Sequence, residues 1–284
     1  MSDEGTESGC SEATWLAENQ AMWDERAPAH AASSDYAFAR FAEDADFISD
    51  VVRFDLPFLG DVRGLRGLHL QCHIGSDTIS LARLGAQMVG LDFSNASIAE
   101  ARQLSDLSGT QVEFVESTVY DAPTALGGRT FDFLFTGIGA LCWLPSIQRW
   151  ADVVAELLEP GGRLFIREGH PMLWAIDEHF EDRLVVGYPY FETQEPLTLE
   201  EEGTYVDTET NFVVNRAHSW NRGLGEIVTA LLERDFTITG LVEHDSVPWE
   251  ALPQQMTKGS GGEWALSEHR ERLPMSYTLQ AVRG

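Results

Sequence analysis

The chain has 284 residues, 43% hydrophobic and 10% aromatic, enough to bury the core of one large α/β domain with an insertion, or of two modest ones. Its formal charge of -27 repels phosphate backbones and anionic lipid surfaces, so neither nucleic acid nor a membrane is an expected partner. The three cysteines, Cys10, Cys72 and Cys142, are widely spaced and offer neither a disulfide framework nor a zinc cluster, so no metal site is expected.

The start "MSDEGTESGC" is acidic and polar, the opposite of a signal peptide, and no apolar run approaches a membrane span; a cytoplasmic protein is expected. Residues 1–11 read as a flexible tail and 12–60 as a helical cap. Trp15, Leu16, Asn19, Met22, Trp23 and Arg26 recur near helical spacing until Pro28 interrupts them, and a second helical stretch passes through Tyr36, Phe38 and Phe41. From residue 61 onward strands and helices alternate. "RGLHLQC" is a first strand, Ser76 and Asp77 open a helix that Gly85 closes, "QMVGLDF" is a second strand, and "SNASIAEARQLSDLS" is a capped helix. "VEFVES" and "FDFLFTGIG" are further strands; "IQRWADVVAELLEPGG" is a helix stopped by Pro160 and Gly161, and "RLFIREG" is a fifth strand. This alternation implies a mainly parallel sheet with right-handed crossovers. Residues 171–220 break the rhythm with aromatics and acids and read as a β-rich lid, after which "GEIVTALLERDF" returns to helix.

The order of motifs resembles the class I S-adenosylmethionine-dependent methyltransferase family over roughly residues 65–284. "HLQCHIG" stands where the family carries a glycine-rich turn, with Gln71 and His73 in place of two glycines, His69 in place of the usual acid, and Gly75 kept. "GLDFS", "LEPGGRLFI", and the closing "GLVEHD" and "SYTLQAVR" match later segments of the family. The resemblance implies a Rossmann-like, doubly wound α/β fold: a seven-stranded sheet with its last strand antiparallel. It also implies S-adenosylmethionine as cofactor and S-adenosylhomocysteine as product.

Ligands of such sheets lie beyond the carboxyl ends of the strands. The cofactor contacts implied are Trp23, Gln71, His73, Gly75, Asp92, Phe93, Ser94, Thr118, Val119, Thr136 and Ile138. Within that set Asp92 is expected on the ribose hydroxyls, Phe93 beside the adenine, and Thr136 and Ile138 beneath the methionine end. Thr118 replaces an acid that often meets the adenine amine. His170, just past the fifth strand, is the best-placed base for methyl transfer. His30, Tyr36, Trp174 and Trp220 are expected around a small-molecule acceptor, in a monomer or homodimer. A nicotinamide-dependent oxidoreductase would want GxGxxG, of which "QCHIGSD" supplies one glycine; a non-catalytic S-adenosylmethionine binder is the other alternative.

Overall fold

In the computed structural model, which describes residues 11–200 and 202–284, three helices precede the sheet: α1 (Glu12–Ala32), α2 (Phe38–Glu43) and α3 (Asp50–Leu59). The tail expected over residues 1–11 falls outside the described residues except for Ser11, whose hydroxyl caps α1. Pro28 does not interrupt α1, contrary to expectation. It removes one helical N–H, at a cost of about 3 kcal/mol. The buried face formed by Asn19, Met22, Arg26, Ala27 and His30 continues across it, so tertiary packing outweighs the local penalty.

The α/β alternation then follows as β1 (Arg66–Leu70), α4 (Ser76–Arg83), β2 (Gln87–Asp92), α5 (Asn95–Ser108), β3 (Glu113–Glu116), α6 (Ala122–Ala125), β4 (Phe131–Thr136), α7 (Ile147–Leu157) and β5 (Leu158–Gly169). The fifth strand starts earlier than expected, because Glu159 to Gly162 extend it beyond an irregular register with β4. A short helix α8 (Pro171–Trp174) opens the lid, which contains the antiparallel pair β6 (Leu197–Glu200) and β7 (Arg216–Ser219). Helix α9 (Leu224–Leu232) returns to the sheet and leads into β8 (Phe236–His244). The hairpin β9 (Met256–Lys258) and β10 (Trp264–Leu266) interrupts the path to β11 (Ser276–Arg283).

The seven-stranded sheet runs β3-β2-β1-β4-β5-β11-β8. The first five strands are parallel, and β11 lies antiparallel to both β5 and β8. The order reverses between β1 and β4, so a crevice opens past the carboxyl ends of these strands. Strand alternation divides the core. Leu134 in β4 faces α7 and α9 with Trp150, Val154, Leu157 and Leu231, while Phe133 and Phe135 face α3 and α4 with Val52, Leu59 and Leu81. Each such buried side chain contributes about 1.5–3 kcal/mol. No helix among the described residues is long and apolar enough to cross a membrane.

Candidate active site

The turn after β1 is under backbone strain. Gln71 (φ 57), His73 (φ 49) and Gly75 (φ 81) all adopt the left-handed region within five residues. Only glycine does so without steric cost, and the two side-chain-bearing residues each cost roughly 1–2 kcal/mol. The surroundings hold them there. The Gln71 Nε2 donates to the Ala140 carbonyl at 2.8 Å, and the His73 N–H donates to Asp92 Oδ2 at 2.9 Å. The Cys72 N–H bonds the Leu91 carbonyl at 3.0 Å, tying the turn to β2. Gly75 has no alternative: a Cβ there would lie 2.8 Å from the Ala101 side chain and 2.9 Å from the Phe114 ring. Burial pushes the Cys72 thiol well above its ordinary range, which makes it a packing residue, not a nucleophile.

Asp92 ends β2, 5% exposed. Its second oxygen accepts the Ser94 N–H at 2.9 Å, and burial raises its pKa to about 6 against the opposing pull of the backbone N–H groups. Ser94 caps α5 by accepting from the Ser97 N–H at 3.0 Å. Helix α1 lies directly over this turn. Gln20 donates to the Phe93 carbonyl at 2.6 Å, and Asp24 accepts from the Ser94 hydroxyl at 2.6 Å and from the Ala96 N–H at 3.1 Å. Neither Gln20 nor Asp24 is legible as a site residue from sequence, since both sit among polar residues of an amphipathic helix. Asp24 brings a negative charge to the positive end of α5, a favourable dipole contact.

Over the turn stands an aromatic group drawn from four parts of the chain. The Trp23 ring meets His73 at 5.1 Å, His30 at 5.7 Å and Trp143 at 5.3 Å, and Tyr36 stacks on His30 at 5.7 Å. His30 Nδ1 pairs with His73 Nε2 at 2.8 Å, while His30 Nε2 pairs with the Thr204 hydroxyl of the lid at 2.6 Å. Burial lowers the His30 pKa to about 4, helped by Arg26, and holds His73 well below its ordinary value. The pair is therefore neutral, one ring donating to the other. Tyr36 and Tyr205 join their hydroxyls in a short hydrogen bond that closes the lid on the cap.

At the end of β4, Thr136 is fully buried and its hydroxyl has no partner; the Gln71 Oε1 is likewise buried and unsatisfied. These two orphaned oxygens, beside a glycine turn and a buried carboxylate, fit a polar ligand spanning β1, β2 and β4. The following loop is held by Glu168, whose carboxylate accepts the N–H groups of Gly139 (2.6 Å), Ala140 (2.8 Å), Leu141 (2.7 Å) and Gly169 (2.6 Å). This role for Glu168 was not visible in sequence, where the residue reads as the end of a strand. Ile138 packs toward Leu173 and Val247. The Thr118 hydroxyl donates to Asp121 at 2.6 Å, and Val119, 4% exposed, packs into the α7 side of the core.

The remaining expected residues do not converge on the turn. His170 accepts the Met172 N–H on Nδ1 at 2.9 Å, capping α8, and its Nε2 meets Glu243 of β8 at 3.0 Å. With both nitrogens engaged, this arrangement supports bracing of the β5 end in place of proton transfer. Trp174 stacks on Trp249 at 5.7 Å, and Trp220, 1% exposed, packs edge-on to Trp15 at 6.0 Å. Of the residues expected around an acceptor, His30 and Tyr36 thus lie over the turn beside Trp23, while Trp174 and Trp220 line a separate small cavity with Glu168 and Tyr277. Trp249 packs against the cluster around Leu173, Leu252 and Met275, and Trp174 stacks on that ring.

Comparison with known proteins agrees with this architecture. A family model described as "Methyltransferase domain" matches residues 68–164, which hold the strained turn, Asp92 and β4. The ubiquinone biosynthesis O-methyltransferase of Xanthomonas euvesicatoria pv. vesicatoria is 34% identical over 37% of this chain, which spans only 44% of that enzyme. The fold is similar to a putative S-adenosylmethionine dependent methyltransferase from Listeria monocytogenes (TM-score 0.56, 16% identity, 83% of this chain and 98% of that one). It is similar also to the DhpI–S-adenosylhomocysteine complex (TM-score 0.56, 16% identity, 96% of this chain and 99% of that one).

Proposed function

We propose that the chain is a class I S-adenosylmethionine-dependent methyltransferase, which transfers the methyl group of that cofactor to a small-molecule acceptor. One observation carries the acceptor class: cap and lid meet over the turn through Tyr36–Tyr205, His30–Thr204 and the Arg26 guanidinium on the Gly203 and Val214 carbonyls. A roof of this kind suits a small ligand held between cap and lid. When bound, the cofactor supplies an electrophilic methyl group; the protein's part is to hold donor and acceptor in line and to exclude water. Gln71, Gly75, Asp92, Phe93, Ser94 and Thr136 would hold the donor, with Trp23 and His73 above it. His30 and Tyr36 would bound the acceptor side. The test is transfer of labelled methyl from S-adenosylmethionine to a panel of small metabolites, with nucleic acid and protein as controls. Labelling only of a macromolecule would overturn the proposal.

The Asp92 environment predicts a pH dependence. Burial places its folded pKa at about 6, above the unfolded 3.8, so its contribution to stability is full below pH 3.8 and lost as pH rises through about 6. Ribose hydroxyls donate to the ionised form, so S-adenosylhomocysteine affinity should rise through about pH 6 and then level off. Calorimetric titration between pH 5 and 8 measures this, and a flat profile would contradict it.

For His170, the bracing geometry predicts that His170→Ala destabilises the protein by about 1 kcal/mol, as losing a helix cap does. Turnover should fall less than tenfold. A loss of 10²–10⁴-fold at unchanged melting temperature and cofactor affinity would instead restore His170 as a general base.

A further inference from the structure

The small cavity beside Trp174 and Trp220 is walled by α8, α9, the end of β5 and the start of β11. It offers about 20 Å³ to the centres of water-sized atoms, and one water needs about 10–15 Å³, so it admits an oxygen atom but not a ring. Of its lining, Cys142, Trp174 and Asn221 are partly exposed, so the cavity is not sealed. Three buried side chains of that lining carry a polar atom with no partner: the Tyr277 hydroxyl, the Trp220 indole Nε1 and Arg222 Nη2, on residues 0%, 1% and 3% exposed. The other polar groups of the wall are engaged. Glu168 accepts four backbone N–H groups, and Asn221 donates to the Pro171 and Pro189 carbonyls at 2.8 and 2.9 Å. Arg222 is anchored by Nη1 on the Leu141 carbonyl, with Glu192 3.4 Å from its Nε, which leaves Nη2 alone. Glu168 also joins the cavity to the strained turn. It accepts the Ala140 N–H at 2.8 Å, and the Ala140 carbonyl accepts from Gln71 Nε2 at 2.8 Å.

The chemistry of the three groups selects the occupant. An indole N–H and a guanidinium N–H only donate, and a phenol at neutral pH can donate as well. Three donors with no free acceptor beside them fit an oxygen lone pair and reject an ammonium group. A carboxylate is disfavoured in turn, because Glu192 already balances Arg222 and Glu168 forms another wall. We propose that the cavity seats a neutral carbonyl oxygen of the methyl acceptor. Trp174, partly exposed, offers an aromatic face to the rest of that molecule. Buried donors without partners destabilise the free protein, and a ligand oxygen that satisfies them recovers that cost on binding. A ligand of the same shape without the oxygen would leave them unpaired.

That the oxygen belongs to the methyl acceptor rests on the methyltransferase reading; that the cavity takes a neutral oxygen does not. The experiment is calorimetric titration of the protein, saturated with S-adenosylhomocysteine, with acetophenone and three analogues. These are α-methylstyrene, which has a methylene in place of the oxygen, benzoate and benzylamine. Saturable 1:1 binding of acetophenone is expected, about tenfold tighter or more than that of any analogue. Tyr277→Phe removes only the hydroxyl and should weaken acetophenone binding about fivefold; Trp220→Phe, which removes the indole N–H, should do the same. The comparison with α-methylstyrene needs no variant, and decides the matter should either one fail to fold. Preference for benzoate or benzylamine, equal binding of acetophenone and α-methylstyrene, or unchanged acetophenone affinity in both variants would each overturn the proposal. So would the absence of saturable acetophenone binding, which leaves water as the only occupant. If S-adenosylhomocysteine itself does not bind, the methyltransferase reading fails, and titration of the free protein with the same four compounds still tests the cavity.

Discussion

Asp92→Ala is expected to weaken S-adenosylhomocysteine binding about 30- to 150-fold, the equivalent of 2–3 kcal/mol for two hydrogen bonds to a carboxylate. The structure adds a second reason for a large effect. The same carboxylate accepts the His73 and Ser94 N–H groups at 2.9 Å each, and so holds both sides of the cofactor crevice. His73 is in the left-handed region at φ 49, and without its acceptor the turn loses part of what maintains that strain. Asp92→Asn, which keeps the shape and one acceptor oxygen, should lose less than Asp92→Ala. Equal affinities in wild type and Asp92→Ala, by calorimetry, would remove Asp92 from the site.

Removing residues 1–36 should abolish methyl transfer. Within that segment Trp23 and His30 cover the turn, Gln20 and Asp24 bind the β2–α5 connection, and Asn19 exchanges two hydrogen bonds with the His218 backbone at 2.8 Å each. The lid depends on the same helix, because Glu25 accepts the N–H groups of Val213 and Val214 and Arg26 donates to the Gly203 and Val214 carbonyls. Without this segment the turn loses the cover of Trp23 and His30, and the proposed acceptor side loses His30 and Tyr36. The sheet keeps its own core on both faces, so circular dichroism of the truncated protein should retain the α/β signature. Normal turnover by that protein would show that the cap takes no part.

The legible features of this chain were those set by short-range pattern. The strand–helix alternation, Gly75, Asp92 and the reversed β8–β11 pair could be read because periodicity and turn chemistry fix them locally. Gln71 and His73 were legible as odd occupants of glycine positions, but their strained backbone could not be read, because it is maintained by Ala140, Asp92 and His30 from distant parts of the chain. The same limit hid Gln20, Asp24 and Glu168, ordinary polar residues whose partners, Gly169 beside Glu168 apart, lie 27 to 73 positions away. His170 shows the converse limit. Its position beside β5 was read correctly, but the direction of its ring depends on Glu243, in a strand that pairs with β11, not with β5. The aromatic residues were counted as one pocket because sequence carries no information on which side of the lid each faces.

A crystal structure of the protein grown with S-adenosylhomocysteine tests the central claim most directly. The account predicts the ribose hydroxyls on Asp92, the adenine beside Phe93, and the homocysteine end between Gln71 and Thr136, beneath Trp23 and His73. A ligand bound elsewhere on the chain, or a turn in which His30 and His73 stay paired while the ligand leaves Asp92 untouched, would contradict it.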